Sequence, residues 1–235
     1  MRVFLLLIAP VWIFAKVHYA KVEPYESVIL KSAVSGLVLD VDLDAEGTMV
    51  EGKRVIYLDD VLDQINLTTS KEKFLLLKET FQRQEASFQR INKLQTVSTT
   101  QKDNAFYSYS SAKTQYLDME YKVAQLEDTI EKKSIVLHQM YLYEIMVRRG
   151  DYVAPGSPLA KVVDATKAKL VLFLEPSEID NVQKRMVYLD DNKTSYKVNK
   201  VWKVADEKFI SSYRAEIYID APQAMFSKLV KVELK

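Results

Sequence analysis

Residues 61–97 read VLDQINLTTSKEKFLLLKETFQRQEASFQRINKLQTV, and apolar side chains recur in this stretch every seven places. Leu67, Phe74, Phe81 and Phe88 form one series, and Ser70, Leu77, Gln84 and Ile91 fall three residues after each of them. A seven-residue repeat split into steps of three and four keeps one stripe on one face of a helix, the seam of paired helices. Ser70 and Gln84 are its polar interruptions. A second segment repeats the pattern with Tyr109, Tyr116, Val123, Ile130 and Leu137 in one series and Ala112, Met119, Leu126 and Met140 in the other, broken by Lys133.

The two seams can be laid against each other. In an antiparallel pair, facing residues share one constant total of their numbers. Phe74 with Leu126, Phe81 with Met119, Phe88 with Ala112, Leu77 with Val123 and Ile91 with Tyr109 all total 200, and Gln84 meets Tyr116. This register predicts a turn near Thr100, inside the polar stretch Ser98–Asn104. Arms of about 40 residues would extend roughly 55–60 Å.

All five glycines flank this rod: Gly36, Gly47 and Gly52 before it, Gly150 and Gly156 after it. Leu37, Leu39, Val41 and Leu43 alternate in strand fashion, and Val55–Leu58 forms another apolar run. Beyond the rod, Leu142–Val147 and Leu159–Asp164 read as strands around the two later glycines. Gly47 and Gly52 with Val50, Val55 and Leu58 match Gly150 and Gly156 with Val153, Leu159 and Val162. Neither copy closes a β core alone, so the two are expected to pack as one sandwich cut by the rod, with all five glycines as structural turns. From Ala168 onward come short strands at 170–174, 186–189, 196–202, 215–219 and 229–234, with a short helix at 176–182, which predicts a small β-barrel.

Composition narrows the function. The chain of 235 residues carries 33 basic and 32 acidic side chains, so no global field favours nucleic acid. There is no cysteine and only His18 and His138, which removes thiol chemistry, disulfides and nearly all zinc sites. A Ser-His-Asp triad would have to use His138, which falls in the helical pattern. Val3–Ala15 is an apolar run after Arg2, of signal-peptide length and short of a comfortable bilayer span. It is expected to be cleaved after Ala15 or Ala20, or kept as an anchor; either way the remainder is exported.

Taken together, Ser35-Gly36-Leu37-Val38 with Gly47–Asp59, then Arg149–Asp164 running into Lys169-Leu170-Val171 and Pro176-Ser177-Glu178-Ile179, resemble the HlyD-like periplasmic adaptor, or membrane fusion protein, family. The resemblance covers essentially the whole chain after the N-terminal run. It implies a mainly β fold with a long α-helical coiled-coil hairpin, in which a split lipoyl-like β-sandwich is followed by a small β-barrel. The expected divisions are 1–20 as signal peptide or N-terminal anchor, 25–60 as lipoyl-like half 1, 61–141 as the antiparallel hairpin, 142–166 as half 2 and 167–235 as the barrel.

The family implies a non-enzymatic subunit, without cofactors, of a tripartite efflux or secretion system, as in RND-type efflux. It bridges an inner-membrane transporter to an outer-membrane channel of TolC type and assembles as a homo-oligomeric ring. It resides in the periplasm, associated with the inner membrane. Many members carry at the hairpin tip an Arg, a Leu four residues on and a Ser seven residues further. Here Arg90 and Leu94 match, Gln101 replaces the serine, and Ser98 and Thr100 supply nearby hydroxyls. These five are the candidate partner-binding residues. The end of the chain at Lys235 leads to the expectation of little or no further membrane-proximal domain. The alternative is an envelope coiled-coil scaffold or tether with no transport role.

Rival readings are weaker. Carriers of lipoate or biotin present a modified lysine between the halves, but no lysine lies between Lys53 and Lys71 or between Lys133 and Lys161. Met119 and Met140 sit on the seam, which argues against a soft-metal site. Tyr107 and Tyr121 lie off the seam and are expected to face a neighbouring copy.

Overall fold

The computed structural model describes residues 16–206, 209, 211–221 and 226–235. In chain order the strands and helices are β1 (Val17–Lys31), β2 (Gly36–Val41), β3 (Thr48–Val50), β4 (Lys53–Leu58), α1 (Val61–Lys93), α2 (Thr99–Lys132), β5 (Ser134–Leu137), β6 (Met140–Ile145), β7 (Tyr152–Val153), β8 (Pro158–Leu174), β9 (Val187–Leu189), β10 (Asn192–Lys193), β11 (Val198–Ala205), β12 (Tyr213–Asp220) and β13 (Leu229–Leu234). They divide into two compact units, one of residues 29–138 and 142–162, the other of the remaining described residues.

The first unit joins the segments on either side of the helices. Its four-stranded sheet has the order β5-β4-β2-β7, so the two strands from before the helices lie at the centre and the two from after them pair on either side. Gly36 pairs with Val153, and Lys53 and Tyr57 pair with Leu137 and Ser134. Further links cross between the halves: Gly150 N–H donates to Val38 O at 2.9 Å, Gly156 N–H to Ser32 O at 2.8 Å and Gly47 N–H to Leu142 O at 2.8 Å. Val38, Ile56, Leu58, Leu142, Ile145 and Leu159 are buried, drawn from both halves. The core of this sheet is thus drawn from both halves together.

Four of the five glycines have φ between 62° and 95°, the left-handed region that favours glycine. Gly36 does not. It is the first residue of β2, and a Cβ there would come within 3.2 Å of Leu58 Cβ. Its role is to let two backbones approach.

α1 and α2 have 33 and 34 residues, roughly 50 Å at 1.5 Å per residue, shorter than the expected arms. The seam is where the heptads put it: Leu67, Phe74, Leu77, Phe81, Gln84, Phe88 and Ile91 are half-buried and Ser70 is buried. On α2, Tyr109, Tyr116, Met119, Val123, Leu126 and Ile130 are half-buried and Ala112 is buried. The register differs from expectation. Phe81 packs on Tyr116 at 5.4 Å and Tyr109 at 5.9 Å between ring centres, and Phe88 packs on Tyr109 at 5.4 Å and Phe106 at 5.7 Å. These pairs total 190 to 197, about one heptad below 200, and put Phe81 opposite Ala112 rather than Met119. A shift of seven maps the seam onto itself, so the periodicity alone could not separate the two registers.

The end of α2 also differs. The hairpin was expected to run to 141, but Lys133 caps the helix and residues 134–137 form β5. Leu137 is buried in the sheet, not the seam, and His138 follows a strand, exposed, rather than lying in a helix. The β-branched pair Ile135-Val136 favours the strand. The second half thus starts at 134, not 142.

In the second unit the strand order is β10-β9-β13-β1-β8-β12-β11. The sheet wraps a core of Ala20, Val22, Leu170, Leu172, Leu174, Val187, Ile217 and Val232, among others. The expected barrel of 167–235 therefore takes in β1 from the other end of the chain. Ala20 is buried and pairs with Val230, so residues 17–20 belong to a strand rather than to a leader, and residues 17–28 belong to this unit rather than to a lipoyl-like half. Residues 1–15 of the N-terminal expectation lie outside the described residues. The expected helix at 176–182 is two 3-10 turns, Pro176–Glu178 and Val182–Lys184.

Candidate functional site

The five candidate residues converge on the connection between α1 and α2. Arg90 occupies the last turn of α1, where a cation is favoured by the helix dipole, and Leu94 is the C-cap, its backbone extended. Ser98 is the N-cap of α2, with Thr100 and Gln101 in the first turn. The stretch Ser98–Asn104, expected as a loop, is therefore almost entirely helix.

A capping box places that start. Gln101 N–H donates to Ser98 Oγ at 3.3 Å, and Ser98 N–H donates to Gln101 Oε1 at 3.2 Å. The two residues thereby satisfy each other's N–H at the start of the helix. Gln101 thus spends its side chain on the cap, while Arg90, Leu94 and Thr100 are exposed and free of that duty. The Ser-x-x-Gln pattern is legible in the sequence and could have fixed the turn.

The connection is flanked by two exposed rings, Phe106, which the seam pattern does not mark, and the off-seam Tyr107. Phe106 is 46% exposed although its ring packs on Phe88 at 5.7 Å, and Tyr107 is 67% exposed. On the adjoining face of α1 an open depression of about 410 Å³ is lined by Arg83, Ala86, Gln89, Arg90 and Lys93, three cations and no acid. Glu79, one turn away, pairs with Arg83 at 2.5 Å. The end of the rod therefore presents positive charge beside apolar surface.

Both helices also carry apolar residues on faces opposite the seam. These are Val61, Ile65 and Leu76 on α1, and Tyr107, Leu117 and Tyr121 on α2, all between 46% and 71% exposed. The expected off-seam position of Tyr107 and Tyr121 holds. Among the described residues no three His, Cys, Asp or Glu side chains gather as a metal site, and no helix is long and apolar enough to cross a membrane.

No family model and no curated protein matches the chain. Solved structures do. A MacA–MexA chimera carrying the α-hairpin domain of Pseudomonas aeruginosa MexA aligns over 94% of this chain and 80% of its own, at 19% identity and a TM-score of 0.71. The membrane fusion protein Spr0693 of Streptococcus pneumoniae aligns over 94% and 99%, at 12% identity and a TM-score of 0.70. A Bacteroides eggerthii protein assigned as an efflux transporter aligns over 94% and 68%, at 15% identity and a TM-score of 0.62. At these identities the likeness is one of fold. The chain has the fold of the membrane fusion, or adaptor, proteins: mainly β, with two helices and curled sheets.

Proposed function

We propose that this chain is a periplasmic adaptor subunit of a tripartite efflux or secretion system. It links an inner-membrane transporter to an outer-membrane channel of TolC type and performs no chemistry of its own. The observation that carries the reading is the split sheet: β2 and β4 from before the helices are flanked on both sides by β5 and β7 from after them. A compact body thereby holds both feet of one rod. The rod is a two-helix coiled coil, and its tip, with Arg90, Leu94, Ser98 and Thr100, is the channel contact. Gln101 serves the tip through the cap.

The subunits form a homo-oligomeric ring. Apolar faces opposite the seam on both helices support this, since each would stay in water unless a neighbour covers it. The apolar run Val3–Ala15 acts as an export signal and, where it is retained, as the anchor that keeps the protein at the inner membrane.

The test is Asp substitution of Arg90 and Leu94, both exposed, with transport and thermal unfolding measured together. The adaptor reading expects transport to collapse while unfolding is unchanged. Retained transport removes the tip contact and leaves an envelope tether.

A further inference from the structure

The second unit carries an open groove of about 600 Å³ that the adaptor reading does not use. Its lining includes Pro176 and Ile179 together with Val201, Trp202 and Tyr213. Lys184 and Lys203 line it too, with Asp180 as the acidic lining residue. Two more cations bear on Trp202: Lys200 Nζ lies 4.3 Å and Arg214 Cζ 4.7 Å from the ring centre. Trp202 is half-buried, while Lys184, Lys200 and Lys203 are exposed. Aromatic rings set among lysines are the make-up of protein surfaces that sit at lipid headgroups.

The chain's path says which surface is near. Lys16 is tied to Glu175 and lies 3.7 Å from Glu178, and His18 Nε2 is 2.8 Å from Glu178 Oε1. Residue 16 is therefore fixed to the turn that contains Pro176, which lines the groove. The residues immediately before it in sequence are the apolar run Val3–Ala15, shorter than the roughly 20 apolar residues that cross a bilayer. Such a run, kept as an anchor, holds residue 16 close to the headgroups.

We propose that the groove of Trp202, Tyr213, Lys184 and Lys203 seats the headgroups of an anionic lipid surface. The inference rests on the adaptor reading only in taking the N-terminal run as a retained anchor. Lysine ammonium groups meet lipid phosphates, and the Trp202 and Tyr213 rings take the interfacial depth that amphipathic aromatics favour.

The experiment uses the full chain with Trp12→Phe, which leaves Trp202 as the sole tryptophan. It is mixed with vesicles of phosphatidylcholine, with or without phosphatidylglycerol, containing lipids brominated near the headgroup. Trp202 emission is expected to be quenched in the anionic vesicles. Lys184→Gln and Lys203→Gln should each weaken partition into them about five-fold, the equivalent of ~1 kcal/mol per basic residue. Unquenched Trp202, or partition unchanged in the double variant, overturns the proposal; unquenched Trp202 in protein-free vesicles together with intact transport points to a protein in the groove. The tip variants test the adaptor reading separately, because they leave this groove untouched.

Discussion

The Lys133 ammonium and the Asp63 carboxylate form an ion pair across 70 residues of sequence, at the foot of the two helices. Lys133 Nζ also donates to the Asp59 carbonyl at 2.6 Å, and its own carbonyl accepts Leu58 N–H at 2.8 Å. Beside it, Asp60 accepts from the Tyr57 hydroxyl at 2.5 Å and from Gln64 at 3.1 Å. The point where α2 returns is thus bound to the point where α1 departs. Lys133→Met should cost about 1–3 kcal/mol by urea unfolding, because Asp59 and Asp63 lose their donor. Asp63→Asn, which keeps an acceptor, should cost less; equal losses would sink the assignment of the lysine as the shared donor.

The helix register is open to crosslinking. Cysteines at Phe81 and Ala112 should join within one chain under mild oxidation, whereas Phe81 with Met119 should not. The reverse yield would restore the register that totals 200.

Gly36→Ala tests close approach without any demand on φ. The added methyl meets Leu58 Cβ at 3.2 Å, an atom fixed to the backbone. A loss of about 1–3 kcal/mol is expected from overpacking. No loss in chemical denaturation would mean that β2 shifts freely.

Acid should weaken the second unit through Glu233. Its hydrogen bonds with Lys231 and then Lys235 hold its carboxyl at about 2, below the ordinary 4.5. A depressed folded value stabilises above the unfolded value, so this contribution is complete above about 4.5 and fades as pH falls toward about 2. Glu178 adds in the same direction: burial pushes its carboxyl up, but hydrogen bonds from Glu175 N–H and His18, with Lys16 nearby, outweigh it. Glu233→Gln should flatten the fall in urea midpoint between pH 5 and pH 3. An unaltered slope would assign the acid sensitivity elsewhere.

The cap predicts its own test. Ser98→Ala should cost about 1 kcal/mol, and Gln101→Ser should lose the reciprocal bond even though it supplies the hydroxyl of the family pattern. Amide exchange at residues 98–101 reads both.

Local pattern and distant pairing were not equally legible. The seam could be read residue by residue, down to the polar Ser70 and Gln84, because helical periodicity is a property of neighbours three and four places apart. Its register could not be, since Phe81 meets Ala112 or Met119 on equal terms when only the repeat is counted. β1 escaped because its partners are in β13 and β8, far away in sequence, and only the alternation of Ala20 and Val22 marks a buried face. Of the candidate site, Arg90, Leu94, Ser98, Thr100 and Gln101 do gather at one end, and the capping task of Gln101 was already written in the Ser-x-x-Gln spacing.

The seam repeats every seven residues and the cap closes it at a single place, so the rod behaves as a ruler graduated in sevens. Adding or removing seven residues in both helices at matched seam positions leaves every kind of facing pair, the foot at Lys133 and the tip at Ser98 as they are. Only reach changes, by about 10.5 Å per step. A chain of this design can be fitted to a wider or narrower gap without redesigning either end.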